Sequence, residues 1–239
     1  MMKPILFNTE MVRAILDGRK TVTRRAVKPP ALDRFVVDDD GILLGSCDFS
    51  AYPDIFDLYP SVDDAPYKPG DIIYVRETWF HEEHMQDLTE GSPDLPSGRY
   101  SHRYIFKADN PEYPITVGAG ATGWHPSIHM PKEAARLFLR VTDVRAERLQ
   151  GITEDQAKAE GIYQLPEGAG FDAGRWTYAH NPYESSSLGK VWSKDEGARN
   201  CFRWIWDSTI KPKDRERYGW EANPWVWVIE FERISKEEV

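Results

Sequence analysis

Cysteine is scarce in this chain: its 239 residues hold two, Cys47 and Cys201, too few for the disulfide framework of a small secreted domain. Long apolar runs are missing as well. No stretch approaches the roughly 20 residues that a membrane-spanning helix requires. The opening "MMKPILFNTE" sets one lysine and a proline before a short apolar run, which is not the pattern of a secretory signal. The expected compartment is therefore a reducing cytoplasm. Positive charge is in deficit, with 30 Lys and Arg against 39 Asp and Glu and a net charge of -9. That balance argues against broad, non-specific nucleic-acid binding, which is driven by neutralising phosphates. Metal-ligand spacing is absent too. "HEEH" at 81–84 does not place two ligands on one helical face, and Pro126 breaks any helix that would align His125 with His129. Neither cysteine has a cysteine neighbour, so no metal is expected. "GAGATG" lacks the lysine and following hydroxyl of a phosphate-cradling loop, and no cofactor is expected either.

What the chain does hold is apolar and aromatic mass. Hydrophobic residues make up 41% and aromatics 13%, including nine tryptophans, enough for a real core. Thr9 to Asp17 reads as a short helix, with Thr9 as cap and Gly18 as stop. "GDIIYVRETW" predicts a strand over Ile72 to Arg76, "ARLFLRVTDVRAERL" a second strand region, and "NPWVWVIEFER" a third. In the last, Trp225, Trp227, Ile229 and Phe231 should face one way, with Glu230 and Glu232 opposite. A hairpin is expected around "RYSHRYIFKA". Two capping boxes are legible: Thr153 with Gln156, opening a helix that ends near Gly161, and Ser193 with Glu196. The latter should open a helix with Ala198, Phe202, Ile205 and Trp206 inward. There is no βαβ alternation to suggest a doubly wound sheet. The expectation is a single α+β domain: a small β-barrel with short flanking helices and long insertions at roughly 26–66, 81–122 and 163–192.

Against the acidic background one segment is basic. "LDGRKTVTRR" gathers Arg19, Lys20, Arg24 and Arg25 around Thr21 and Thr23. The end of the preceding helix favours cations at Arg19 and Lys20 but does not reach Arg24 or Arg25. These two alternate in a probable strand, so one should point into a pocket and the other away. A guanidinium in such a pocket suits a phosphate or a carboxylate.

"ILDGRKTVTRR", "KPGDIIYVRETW", "ITEDQAKAEGI" and the final "WVWVIEFE", in that order, resemble the ASCH domain. "WHPSIHMPKEAARLFLRVTDVRAERLQGI" resembles its phage and prophage form in particular. The resemblance implies a PUA-like barrel that binds a nucleoside or an exposed RNA base. The family includes a small bacterial amidohydrolase of N(4)-acetylcytidine. Its lysine and threonine fall on Lys20 and Thr23 and its glutamate on Glu160, which implies a catalytic trio here. Such a trio makes chemical sense. Threonine would be the nucleophile, a desolvated lysine the base, and glutamate the proton carrier. The bland alternative is a Lys20–Glu160 salt bridge closing the barrel mouth, with Thr23 an ordinary strand residue. Trp79 could stack on a base and Glu77 accept from an exocyclic amine, beside Arg76. Trp124, Ser127 and His129 sit on a loop of the kind that carries binding residues. This chain is more than twice as long as that enzyme and has arginine at position 24 where the enzyme is apolar. Two other readings therefore stand: a recognition module for RNA without chemistry, and a phage accessory protein acting through protein contacts.

Overall fold

The first helix is capped one residue earlier than expected. The computed structural model describes residues 2–28, 62–85, 100–111, 123–167, 173–179, 195 and 197–239, with short strands at 36–37, 43–45 and 191–192. Strand β1 (Lys3–Leu6) leads into helix α1 (Thr9–Leu16), and the Asn8 side chain accepts a hydrogen bond from the Met11 amide at 2.9 Å. It satisfies an amide that the helix itself cannot. Thr9 is thus the first helical residue rather than the cap. Gly18 takes a φ of +73° just after the helix, as expected of a stop.

Strand β2 (Val22–Ala26) follows, then β3 (Ile72–Arg76) and a two-stranded ribbon of β4 (Trp79–Met85) with β5 (Tyr100–Phe106). Strand β6 (Phe138–Arg148), helix α2 (Glu154–Ala159), helix α3 (Gly197–Thr209) and strand β7 (Trp225–Ile234) complete the frame. The three strands expected from β-branched and aromatic content are all strands. The segment expected to hold a hairpin is instead one strand: β5 pairs back to β4, from Trp79 opposite Phe106 to Met85 opposite Tyr100.

Five strands form one mixed sheet in the order β1-β3-β6-β7-β2, parallel only between β1 and β3. The fold is α+β, but the expected closed barrel does not form. The reason lies at β1. Phe7 N–H bonds the Arg76 carbonyl across to β3, so alternation turns the Pro4 and Leu6 carbonyls out of the open edge. Proline has no N–H to offer a further strand. Side chains cover that edge instead. The Tyr67 hydroxyl donates to the Pro4 carbonyl at 2.7 Å, and Arg25, from the opposite edge strand β2, donates to the Leu6 carbonyl at 2.7 Å.

Strand β7 is central and buried on both faces over its first half. Trp225, Trp227, Ile229 and Phe231 pack with Phe7, Val12 and Ile15. On the opposite face Val226 and Val228 pack beneath Phe202, Ile205 and Trp206 of α3. The polar face expected from Glu230 and Glu232 is confined to the second half, where the register shifts between Glu230 and Phe231.

The Thr153–Gln156 capping box forms as expected. The one expected at Ser193 and Glu196 lies outside the described residues. Helix α3 takes its cap from elsewhere: Glu154 of α2 accepts from the Ala198 amide at 2.7 Å and the Arg199 amide at 3.2 Å. A carboxylate suits the positive end of a helix. Glu154→Ala should therefore cost about 1 kcal/mol, in the range of a lost helix cap. A shift of the urea midpoint reads this, and Asp155→Ala should leave the midpoint in place. Equal effects of the two substitutions would show that Glu154 is not the cap.

Candidate functional site

The basic segment and the "AEGI" segment meet directly after α1 and α2 end. The Lys20 amide donates to the Ala14 carbonyl at 3.0 Å and the Thr21 amide to the Ala159 carbonyl at 2.9 Å, and a single antiparallel bridge links Lys20 with Glu160. This backbone crossing sets two charged side chains face to face in the interior. Lys20 Nζ donates to Glu160 Oε2 at 2.6 Å, to the Val22 carbonyl at 2.8 Å and to the Glu160 carbonyl at 3.1 Å. An ammonium has three protons, and all three are taken.

Arg24 completes the network. It reaches Glu160 Oε1 at 3.2 Å, Gln156 Oε1 at 3.0 Å and Glu147 Oε2 at 3.4 Å, while its Nε has no partner. The side chains of Lys20, Arg24 and Glu160 are 0%, 1% and 6% exposed. Burial pushes the Lys20 pKa below its ordinary value, against the pull of the Glu160 carboxylate. In this arrangement the pair is a closed ion pair, with the lysine protons committed rather than held as a free base. Thr23 is also buried, at 2% exposure.

Arg24 and Arg25 do face opposite sides of β2, opposite Val228 and Trp227 respectively. One of the two is expected at a pocket and the other at the surface or in an ion pair, and Arg24 is the ion-paired and more buried one. Arg25 crosses the Phe7 ring at 5.3 Å and lies within electrostatic reach of both Glu160 and Lys20.

Two spaces adjoin the pair. A cavity of about 20 Å³ touches Glu160, Glu10, Tyr178 and Phe202, room for about one water. A groove of about 510 Å³ is lined by Arg19, Lys158, Tyr163, Gln164 and Trp176. Arg19 is fixed in it by three contacts. It donates to the Gly161 carbonyl at 2.6 Å, pairs with Asp17 at 2.8 Å and lies 4.6 Å from the Tyr163 ring centre.

The other candidates form a separate group around β3 and the 123–137 loop. Glu77 is buried and gripped at both oxygens by Arg136, at 2.9 and 3.1 Å, and Arg136 turns its far side to Asp109. Burial raises the Glu77 pKa, with Arg136 opposing. Its oxygens are thus engaged by an arginine rather than offered to an exocyclic amine. Trp79 lies with His125 at 4.8 Å and Tyr104 at 5.8 Å, and its Nε1 has no partner. These rings take up the indole that was expected to stack on a base. Arg76 donates to the Ile128 carbonyl at 3.3 Å. Trp124 and Ser127 are half-buried and His129 is exposed, the last two on a short 3-10 turn behind Pro126. Among the described contacts, none joins this group to Glu160.

Sequence reasoning did not single out Glu147, Gln156 as an Arg24 partner, Tyr163 or Trp176. Tyr163 carried a signal, three residues past Glu160 where α2 has ended. Trp176 carried none. Among the described residues no group of His, Cys, Asp and Glu is placed to hold a metal ion, and no helix is long and apolar enough to cross a membrane. Comparison with protein-family models, curated proteins and solved structures finds no match for the chain.

Proposed function

We propose that the chain is a cytoplasmic ASCH-domain protein of the PUA-like class that binds a nucleoside or an exposed RNA base in the Arg19–Tyr163–Trp176 groove. The observation that carries the reading is the groove's lining. Two aromatic rings and a guanidinium border about 510 Å³, a volume in the range of small-molecule sites. Flat aromatic faces stack on bases whatever their sequence, and Gln164 offers both a donor and an acceptor for a base edge. The buried Lys20–Glu160–Arg24 network holds the backbone at Gly161, whose carbonyl positions Arg19.

One observation favours a second reading, hydrolysis of an N(4)-acyl group. Thr23 is a hydroxyl-bearing residue of 2% exposure, three residues from Lys20. In that reading Lys20 first passes a proton to Glu160. Thr23 Oγ then attacks the acyl carbon and gives its proton to Lys20, which delivers it to the leaving amine. Water finally cleaves the threonine ester and restores the hydroxyl.

One experiment separates the readings. Cytidine and N(4)-acetylcytidine are titrated by tryptophan fluorescence, and acetate release is followed in parallel. Binding is expected, with Trp176→Ala and Tyr163→Ala each weakening it about tenfold, the scale of one lost base stack. Absence of binding to either nucleoside would overturn the proposal. Acetate release that Thr23→Ala abolishes while leaving cytidine binding intact would add the hydrolase. Binding without release would leave recognition alone.

A further inference from the structure

Arg19 is fixed in the groove before any ligand arrives, and fewer than all of its donors are used to fix it. A guanidinium carries five N–H groups. Nε and Nη2 each donate to Asp17 Oδ2, at 3.3 and 2.8 Å, and Nη1 donates to the Gly161 carbonyl at 2.6 Å. Two N–H groups remain, one on each terminal nitrogen. The plane that carries them is held by the buried Gly161 and by the Tyr163 ring, whose centre is 4.6 Å away. It is preorganised, so a ligand need not order it.

A second cation lines the same space. The bridge between Lys20 and Glu160 brings the end of α2 beside the basic segment, and Lys158 of α2 borders the groove of about 510 Å³ together with Arg19. Lys158 gives one ammonium proton to Asp155 at 2.8 Å, which leaves two. The acids paired with these cations stand outside the lining. Asp17 and Asp155 are 40% and 92% exposed, and among the described residues no carboxylate borders the groove. The smaller cavity is the opposite case, with Glu10 and Glu160 in its wall. Ion pairs this open to water are weak, so a doubly charged anion competes well for both cations.

We infer that Arg19 and Lys158 form a phosphate subsite within the groove, so that the ligand is a nucleotide rather than a nucleoside. A guanidinium with an N–H free on each terminal nitrogen suits two phosphate oxygens, and an ammonium adds a point charge beside them. Arg19 covers one face of Tyr163, which leaves the other face and Trp176 for the base. Guanidinium and rings then follow one another along one groove, as phosphate and base do in a nucleotide. The inference rests on the base-binding reading for the rest of its ligand, and its own evidence is the donor count at Arg19.

The test titrates cytidine, cytidine 5′-monophosphate, ribose 5-phosphate and a four-nucleotide oligocytidine RNA by calorimetry at low salt. The proteins are wild type, Arg19→Gln, Lys158→Gln and Lys213→Gln, the last an exposed lysine outside the groove. Thermal melting checks the fold of each. The Lys158 side chain is 48% exposed, so its variant carries the test if Arg19→Gln unfolds. The readout is the ratio of monophosphate to cytidine affinity within each protein, which cancels any change at the base. It should be at least about tenfold in wild type and Lys213→Gln, the scale of a charge-assisted contact. In Arg19→Gln and Lys158→Gln it should fall towards unity. Support takes one of two forms: a gain complete at the monophosphate assigns the subsite to a free nucleotide, and a further gain with RNA assigns it to a strand. A wild-type ratio near unity, a ratio that survives in both groove variants, or an equal fall in Lys213→Gln would overturn the inference and leave base binding standing. Ribose 5-phosphate bound through Arg19 and Lys158, without cytidine binding, would uphold the phosphate subsite and overturn the base reading. Binding of none of the four ligands would overturn both.

Discussion

Replacing Glu160 with alanine is expected to cost about 3–5 kcal/mol of stability, the penalty for leaving a buried charge without its partner. The side chain of Lys20 is 0% exposed and, among the described residues, has Glu160 as its one carboxylate contact, at 2.6 Å. At about 2–4 °C per kcal/mol for a chain of this length, the melting temperature should fall by on the order of 10 °C. The double variant Lys20→Met with Glu160→Met should recover much of the loss, because replacing a buried ion pair by apolar groups of similar size is often neutral. A single variant that loses less than about 1 kcal/mol would mean that water reaches Lys20. The pair would then behave as a surface contact. The same measurement bears on function. Large destabilisation by Glu160→Ala makes its loss of any activity uninformative about catalysis, which is why Thr23→Ala carries the test for hydrolysis.

Gly161→Ala should be comparably damaging, by a steric route. Gly161 has a φ of +103°, and a Cβ built there would lie 2.8 Å from Ala14 Cβ and 3.3 Å from Lys20 Cβ. Neither neighbour is the free end of a flexible chain: both are fixed where α1 hands over to the basic segment. Backbone strain of about 1–3 kcal/mol and overpacking of about 1–3 kcal/mol together predict a loss of roughly 2–6 kcal/mol. The readout is the urea midpoint at unchanged m. Gly151→Ala, where an added Cβ meets nothing within 4 Å, serves as the contrasting substitution. Equal midpoints for the two variants would show that α1 can move away from the 160–161 turn.

Several features were legible because their causes lie within a few residues. The Thr153–Gln156 box needs only a hydroxyl and an amide three positions apart. Gly18 stops α1 because glycine alone takes its φ without strain. The β-branched and aromatic runs at 72–76, 138–148 and 225–234 have no comfortable place in a helix. Asn8 was missed as a cap by one residue, since Asn and Thr both serve there and only the backbone says which is outside the helix.

By itself, the sequence determined the class of the fold, its main strands, the ends of α1 and α2, and a basic segment rich in groups that bind anions. Only the tertiary structure decided what those groups do. Lys20 and Glu160 are 140 residues apart, and whether they hold a proton ready or close an ion pair depends on the Val22 carbonyl and Arg24 filling the remaining positions. The second face of β7 is buried because α3 lies over Val226 and Val228. The cap of α3 comes from Glu154 in another helix. The sheet stays open because the edge at Pro4 has no amide to continue it. Each of these outcomes depends on which distant groups meet, and a chain's periodicity records only which face is apolar, not what covers it.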